Sequence, residues 1–241
     1  MITLHAWPTP NAHKVSIMLE ECGLAYVVKA VDITTGDQFA PDFLAISPNN
    51  RMPAITDDDA PGGGSVSLFE SGAILIYLAE KTGRFLPADG AARYRVLQWL
   101  MFQMANLGPI AGQAHHFRDA APERVPYAIR RFTEEAGRLY GVMDRRLAEA
   151  PYLAGDDYSI ADMACWPWVR VHRYHGQMWD DFPNVKSWFD GIAARPAVQQ
   201  GMKLLADRRA RTRDVLDEKS RDILFGATQM RRRGSGPGDK L

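Results

Sequence analysis

Residues 49–80, NNRMPAITDDDAPGGGSVSLFESGAILIYLAE, decide how the rest of this chain is read. The run after Pro53 reads as a strand over 53–56, the Asp and Gly cluster as a turn, 66–69 as a second strand, and the apolar periodicity from Ser71 onward as a helix. A strand entered at proline leaves unpaired backbone groups on its leading residue. A helix opening near Ser71, with that serine as its cap, presents orphan N–H groups that attract a carboxylate. An extended peptide with an acidic end fits both features.

Upstream, residues 2–6 read as a short strand stopped by Trp7-Pro8-Thr9-Pro10-Asn11. From Ala12 the apolar positions Val15, Met18, Leu19 and Cys22 recur at helical spacing until Gly23, and 26–31 reads as another strand. A β-α-β opening followed by β-β-α predicts a thioredoxin-like domain over 1–84, with a short helical piece at 42–45 between the halves. Residues 85–92, with Pro87 and Gly90, read as a linker.

Beyond the linker the period is helical, which predicts an all-helical domain over 93–220 and hence an α/β plus all-α chain. Tyr94, Leu97, Met101, Met104 and Ala105 mark one expected core stripe, kinked or interrupted at Gly108-Pro109. Phe132, Ala136, Leu139, Met143 and Leu147 mark another. Ser159-Ile160-Ala161-Asp162 is a capping pattern, so Asp162 takes a structural role. Residues 221–241, ending in Arg231-Arg232-Arg233 and a Gly-rich run, read as a flexible tail.

The chain's 29 basic and 29 acidic residues balance, so no global field recruits nucleic acid or an anionic membrane, and small ligands are the expected partners. No run approaches the ~20 apolar residues a membrane-spanning helix needs. MITLHAW lacks a basic region followed by an apolar one. Cys22 and Cys165 lie apart within apolar helical patterns, which suits a reducing cytoplasm. No metal is expected: His115 and His116 are adjacent and project about 100° apart on a helix, while His172 and His175 lack acidic or thiol companions. Gly62-Gly63-Gly64 lacks the Lys-Ser/Thr of a phosphate loop and reads as a hairpin. Lys14 reads equally as facing the site or as solvent-exposed.

Met52-Pro53-Ala54-Ile55 followed by Glu70-Ser71 resembles the thioredoxin-fold domain of glutathione transferases. Thr9-Pro10-Asn11-Ala12 keeps the proline of a glutaredoxin Cys-Pro-x-Cys turn and neither thiol, so sulfur chemistry here needs a bound thiol. With Ala12-His13-Lys14, the turn is similar to that of the bacterial nu-class transferases, glutathione-dependent disulfide-bond oxidoreductases related to a yeast nitrogen regulator. Ser47-Pro48-Asn49-Asn50, residues 67–72, 112–117 and 120–122, and Ser159 through Trp168 carry the resemblance over roughly residues 1–205.

The resemblance implies a glutathione-transferase helical domain, a homodimer, glutathione as co-substrate, and a cis peptide before Pro53, where an X-Pro bond alone favours trans. It places Thr9 and Asn11 at the glutathione sulfur, Gln38 at the glycyl end, Met52 and Pro53 at the cysteinyl backbone, and Glu70 and Ser71 at the γ-glutamyl end. Arg131 holds glutathione in this class, although here Arg130 stands beside it in place of an acidic residue. On their own residues Gln38 reads as a solvated loop glutamine and Arg131 as a surface arginine. The implied activity is reduction of small disulfides by bound glutathione. Conjugation or peroxide reduction at small electrophiles, and a non-catalytic glutathione-binding regulator, are the alternatives.

Overall fold

The structure, a computed structural model, describes residues 1–208 and 218–230. Strand β1 (Ile2–Ala6), helix α1 (Pro10–Cys22) and strand β2 (Tyr26–Ala30) open the chain; α2 (Pro41–Ile46), β3 (Ala54–Asp57), β4 (Val66–Phe69) and α3 (Ser71–Thr82) follow. The strands form one sheet in the order β2-β1-β3-β4, parallel between β1 and β2 and antiparallel elsewhere. This is the thioredoxin-like topology expected. Pairing in β3 starts at Ala54, one residue later than expected, because Pro53 has no N–H to give the ladder. Helix α1 starts at Pro10, two residues earlier than expected: Thr9 caps it, accepting from the Ala12 N–H at 3.4 Å, and a proline at the first helical position costs no hydrogen bond.

The second domain is helical: α4 (Gly90–Phe102), a π-helical segment Gln103–Leu107, α5 (Gly108–His115), a second π segment His116–Ala120, α6 (Pro126–Leu147), α7 (Ile160–Val169), α8 (Pro183–Ala193) and α9 (Pro196–Gly201). Helix α4 begins inside the expected 85–92 linker. Helix α10 (Glu218–Phe225) crosses the expected boundary at 220. Ser220 Oγ donates to the Thr34 carbonyl at 3.3 Å and Arg221 to the Ala120 carbonyl at 3.2 Å, so α10 touches both domains. The remainder of the expected tail, 231–241 with its three arginines, lies outside the described residues.

The stripe expected on α4 is corrected by the structure. Tyr94 is 70% exposed and Met101 48%, while Val96, Leu100, Gln103 and Leu107 face the core. Both faces of α4 carry apolar side chains, so periodicity alone could not choose the phase. The helix is not interrupted at Gly108-Pro109: a π segment, Gln103–Leu107, runs into α5 there and the chain stays helical through it. Of the stripe expected on α6, Ala136, Leu139 and Met143 are buried and Phe132 and Leu147 half-buried, and Tyr140 is buried beside them.

One apolar cluster runs through both domains, joining Leu4, Ile17 and Leu75 to Leu100, Met143 and Trp166. Its polar keystone is Asp162. The fully buried carboxylate accepts from the Ser159 N–H (3.1 Å) and hydroxyl (3.0 Å), the Leu153 N–H (3.0 Å) and Trp188 Nε1 (2.9 Å). Burial pushes its pKa up, and these donors pull it back. The expected capping box is present, and it also ties α7 to α8. Asp162→Ala leaves several buried donors without an acceptor, so urea denaturation is expected to show a loss of about 3 kcal/mol or more. A loss below about 1 kcal/mol would contradict this structural role.

Candidate functional site

Three chain segments converge on one cavity of about 260 Å³, lined by Asn11, Asn49, Arg51, Met52, Pro53, Phe69, Glu70 and Ser71. Asn11 comes from the first turn of α1, Met52 and Pro53 from the approach to β3, and Glu70 and Ser71 from the junction of β4 and α3. Two helix N-termini therefore open toward the same space, and their unpaired N–H groups favour bound anions. A second recess of about 600 Å³, lined by Phe85, Arg95, Arg146 and Tyr158 among others, contains none of the candidate glutathione-site residues.

The Met52-Pro53 peptide is cis. Glu70, not Ser71, is the cap residue of α3. It sits at φ 68°, ψ 113°, and its side chain makes no capping hydrogen bond. A non-glycine residue at positive φ is held there by its surroundings, and such positions gather at functional sites. Ser71 is the first helical residue, and its buried hydroxyl faces Lys14 Nζ (3.4 Å) and Met104 Sδ (3.8 Å). Gly72 permits that approach: a Cβ there would lie 2.9 Å from Met104 Sδ.

Asn11 is fixed from the other domain. Trp168 Nε1 of α7 donates to its Oδ1 at 2.9 Å. Indole is a donor only, so this bond sets which end of the amide is oxygen and leaves the Nδ2 donor end for a ligand. Thr9 caps the same helix but is not among the residues lining the cavity. Its Oγ accepts from Ala12, which leaves the hydroxyl proton for another acceptor.

Two residues singled out from the sequence stand elsewhere. Gln38 is buried, not solvated, and its Nε2 donates to the Ile33 carbonyl at 3.3 Å without lining the cavity. Arg131 lies on the outer face of α6, 58% exposed and 3.8 Å from Glu135, and does not reach the cavity. Arg130 borders a different surface recess.

Lys14 is resolved as neither a ligand-facing nor a solvated lysine. It is buried, donating to Gln103 Oε1 at 2.6 Å across the domain junction. Burial pushes its pKa down to about 7, against the opposing pull of Cys165 and Glu70. Sequence reasoning missed Gln103 and Trp168. A polar residue one helical step from Leu100 and Leu107 is a signal that could have marked Gln103, whereas a tryptophan in an apolar helix carries none.

The two protein thiols are poor nucleophiles. Burial raises the pKa of both Cys22 and Cys165, and Cys165 is fully inside the core. The histidines pack: His175 meets Tyr140 at 3.2 Å and is pushed down to about 3 by burial, and His115 stacks on Tyr174. Among the described residues, no group of three or more His, Cys, Asp or Glu is arranged to hold a metal ion, and no helix is long and apolar enough to cross a membrane.

Residues 1–80 match the family model described as the glutathione S-transferase N-terminal domain, and residues 129–196 match that of the C-terminal domain. The chain is 51% identical over 203 residues to the disulfide-bond oxidoreductase YfcG of Escherichia coli, covering 84% of this chain and 94% of that protein. A Pseudomonas fluorescens glutathione transferase family member, whose crystal structure has two glutathione bound, superposes with a TM-score of 0.80 at 46% identity, over 83% of this chain and 92% of that one. A Pseudomonas putida glutathione transferase with one glutathione disulfide bound per subunit gives the same score and identity, over 85% and 91%. From its sheet to its helical domain, the chain belongs to the glutathione S-transferase family.

Proposed function

We propose that this protein reduces small disulfides with the thiol of bound glutathione. The observation that carries the reading is Asn11, held by Trp168 with its donor end available at a cavity that also contains Pro53, Glu70 and Ser71. The relatives at 51% and 39% identity are disulfide-bond oxidoreductases, which supports the assignment. The γ-glutamyl carboxylate meets Ser71 and the N-terminus of α3, and Glu70 takes its ammonium. The cysteinyl backbone runs beside Met52 and Pro53. The sulfur lies at the N-terminus of α1 near Thr9 and Asn11, where oriented N–H and side-chain donors favour the thiolate. Gln38 is assigned to the glycyl end and Arg131 to holding glutathione, both from outside the lining of this cavity in one protomer.

Reaction begins when the thiolate attacks one sulfur of the substrate disulfide. The S–S bond breaks, a mixed disulfide with glutathione forms, and the leaving thiolate takes a proton. A second glutathione thiolate attacks the glutathione sulfur of the mixed disulfide and releases the second substrate thiol with oxidised glutathione. Two electrons pass from two glutathiones to one disulfide, and no protein thiol takes part. The same thiolate would attack a soft electrophile, so chlorodinitrobenzene belongs in the assay beside hydroxyethyl disulfide.

Thr9→Ala and Asn11→Ala each remove a hydrogen bond to a charged group, worth ~1.5–3 kcal/mol, so turnover is expected to fall roughly ten- to a hundredfold with the bound thiol pKa raised. Ser71→Ala is expected to raise the glutathione KM with less effect at saturation. Parental rates and thiol pKa in both α1 variants would place the sulfur elsewhere.

The double variant Cys22→Ala/Cys165→Ala is expected to lose some stability and keep its disulfide reductase turnover. Loss of activity in the folded double variant would contradict a mechanism built on bound thiols alone.

We assign the protein to the reducing cytoplasm, in keeping with two unpaired cysteines, and to a homodimer, in keeping with the apolar Tyr94 and Met101 on the outer face of α4. Light scattering is expected to give twice the chain mass at micromolar concentration. A monomer would remove this assignment and leave the site unchanged.

A further inference from the structure

Lys14 is a buried base that the disulfide chemistry does not use. Its side chain is 1% exposed, in a helix whose residues from Ala12 to Leu19 are all buried. It points to the domain junction, where Gln103 Oε1 stands 2.6 Å and Ser71 Oγ 3.4 Å from Nζ. The π segment holds Gln103 in place. Gly108, one turn on, leaves room for it, since a Cβ there would lie 2.8 Å from Gln103 Nε2. The lysine thus reaches the reverse side of the hydroxyl that lines the ligand cavity.

Hydrogen-bond polarity gives this contact a consequence. An ammonium has three donors and no acceptor, so protonated Lys14 requires Ser71 Oγ to accept, and the hydroxyl proton turns away from it. Among the described residues, the acceptor that Ser71 Oγ faces is Met104 Sδ, a weak one, at 3.8 Å. A neutral amine has a lone pair and competes for the same proton. Only the protonated state of Lys14 therefore obliges the Ser71 hydroxyl to turn its proton away from the amine.

We propose that Lys14 is a positioning residue for anion recognition: protonated, it aims the Ser71 hydroxyl at the ligand carboxylate, so that binding the carboxylate is accompanied by proton uptake at Lys14. The inference rests on the reading that Ser71 anchors the γ-glutamyl carboxylate. The ionisable groups facing Lys14 are Glu70, from the β4–α3 junction, and Cys165, from α7, with His13 next to it on α1. The segments Gln103–Leu107 and Pro196–Gly201, which also pack near α1, carry no ionisable side chain. Cys165 stays protonated through neutral pH because burial raises it.

The sign follows from a bound-state pKa above the free value of about 7. Affinity is independent of pH below the free value, falls as pH rises from the free to the bound value, and levels off above it. Each unit of upward shift is tenfold in affinity.

S-Methylglutathione, whose thiol cannot titrate, is the probe. Calorimetric titration in two buffers of different ionisation enthalpy reads the protons taken up. Wild-type protein is expected to take up a fraction of a proton at pH 7 to 8 and to lose affinity between pH 7 and 8. Lys14→Met is expected to bind about tenfold more weakly at pH 6 and to lose this uptake; the probe's own ammonium contributes equally to both proteins. Gln103→Glu places a carboxylate against the amine, holds it protonated, and is expected to move the fall in affinity to higher pH. Wild-type binding with no proton uptake at pH 7 to 8 overturns the inference without recourse to a variant. So does a Lys14→Met profile identical to wild type while Ser71→Ala still weakens binding. If Ser71→Ala binds the probe as tightly as wild type, the anchor itself is misassigned, and the reading of the site fails first.

Discussion

Helix α1 is enclosed on every side, and that enclosure governs the rest of the molecule. Eight successive residues, Ala12 to Leu19, are buried, so the helix has no solvent face on which to place polar groups. Three of its polar side chains, Ser16, Glu21 and Lys14, are answered by partners far along the chain. Ser16 Oγ donates to the Gly201 carbonyl at 2.8 Å, Glu21 takes a two-pronged contact from Arg195 at 2.6 and 2.8 Å, and Lys14 bonds Gln103. The helical domain approaches so closely that a Cβ on Gly201 would lie 2.8 Å from the Ile17 backbone. Because a buried polar group without a partner costs more than a made bond returns, these contacts fix the position of α1 against the second domain. The N-terminus that receives the sulfur is aimed as a by-product of that fixation.

Much of this was legible locally. Proline at residue 53, glycine at 23, and the Ser-x-x-Asp at 159–162 act through the backbone within a few residues, and each places its element to within a residue or two. The ligand-facing pairs Met52-Pro53 and Glu70-Ser71 were legible for the same reason, as they sit at element boundaries that sequence chemistry marks. What was not legible depends on which residues meet across the domain junction. Lys14 gave no sign of burial, because a lysine on an amphipathic helix is ordinarily solvated, and the partners that make burial tolerable, Ser71 and Gln103, lie 57 and 89 residues away. The phase of α4 was misread because its outer face carries Tyr94 and Met101 as well. Gln38 shows the same limit: its loop composition alone suggests water, and tertiary packing buries it.

The cavity divides its chemistry between a rigid part and an adjustable one. Pro53 and the helix N-termini supply fixed backbone geometry, which costs no side-chain entropy when a peptide docks. Asn11 and Ser71 are adjustable in isolation, since an amide can flip and a hydroxyl can rotate. Each is set by a donor on a second element: Trp168 sets Asn11, and Lys14 sets Ser71. Both settings act through polarity, so an isosteric contact without a proton to donate would not replace them.

A buried amine is a costly device, and the direction of its cost is informative. Lys14 has a folded-state pKa of about 7, far below the ordinary lysine value, so the unfolded chain binds more protons between those two values. Its contribution to stability therefore rises with pH across that window and is lost as the amine is protonated in the fold. Stability alone would favour an apolar residue here, because apolar replacements of buried charges are often neutral or stabilising. The pressure on the folded state is toward the neutral amine, whereas a bound carboxylate favours the ammonium. A residue whose protonation is opposed by the fold and rewarded by the ligand is held near the balance between its two states at neutral pH, and it is there that an anion in the cavity shifts it most.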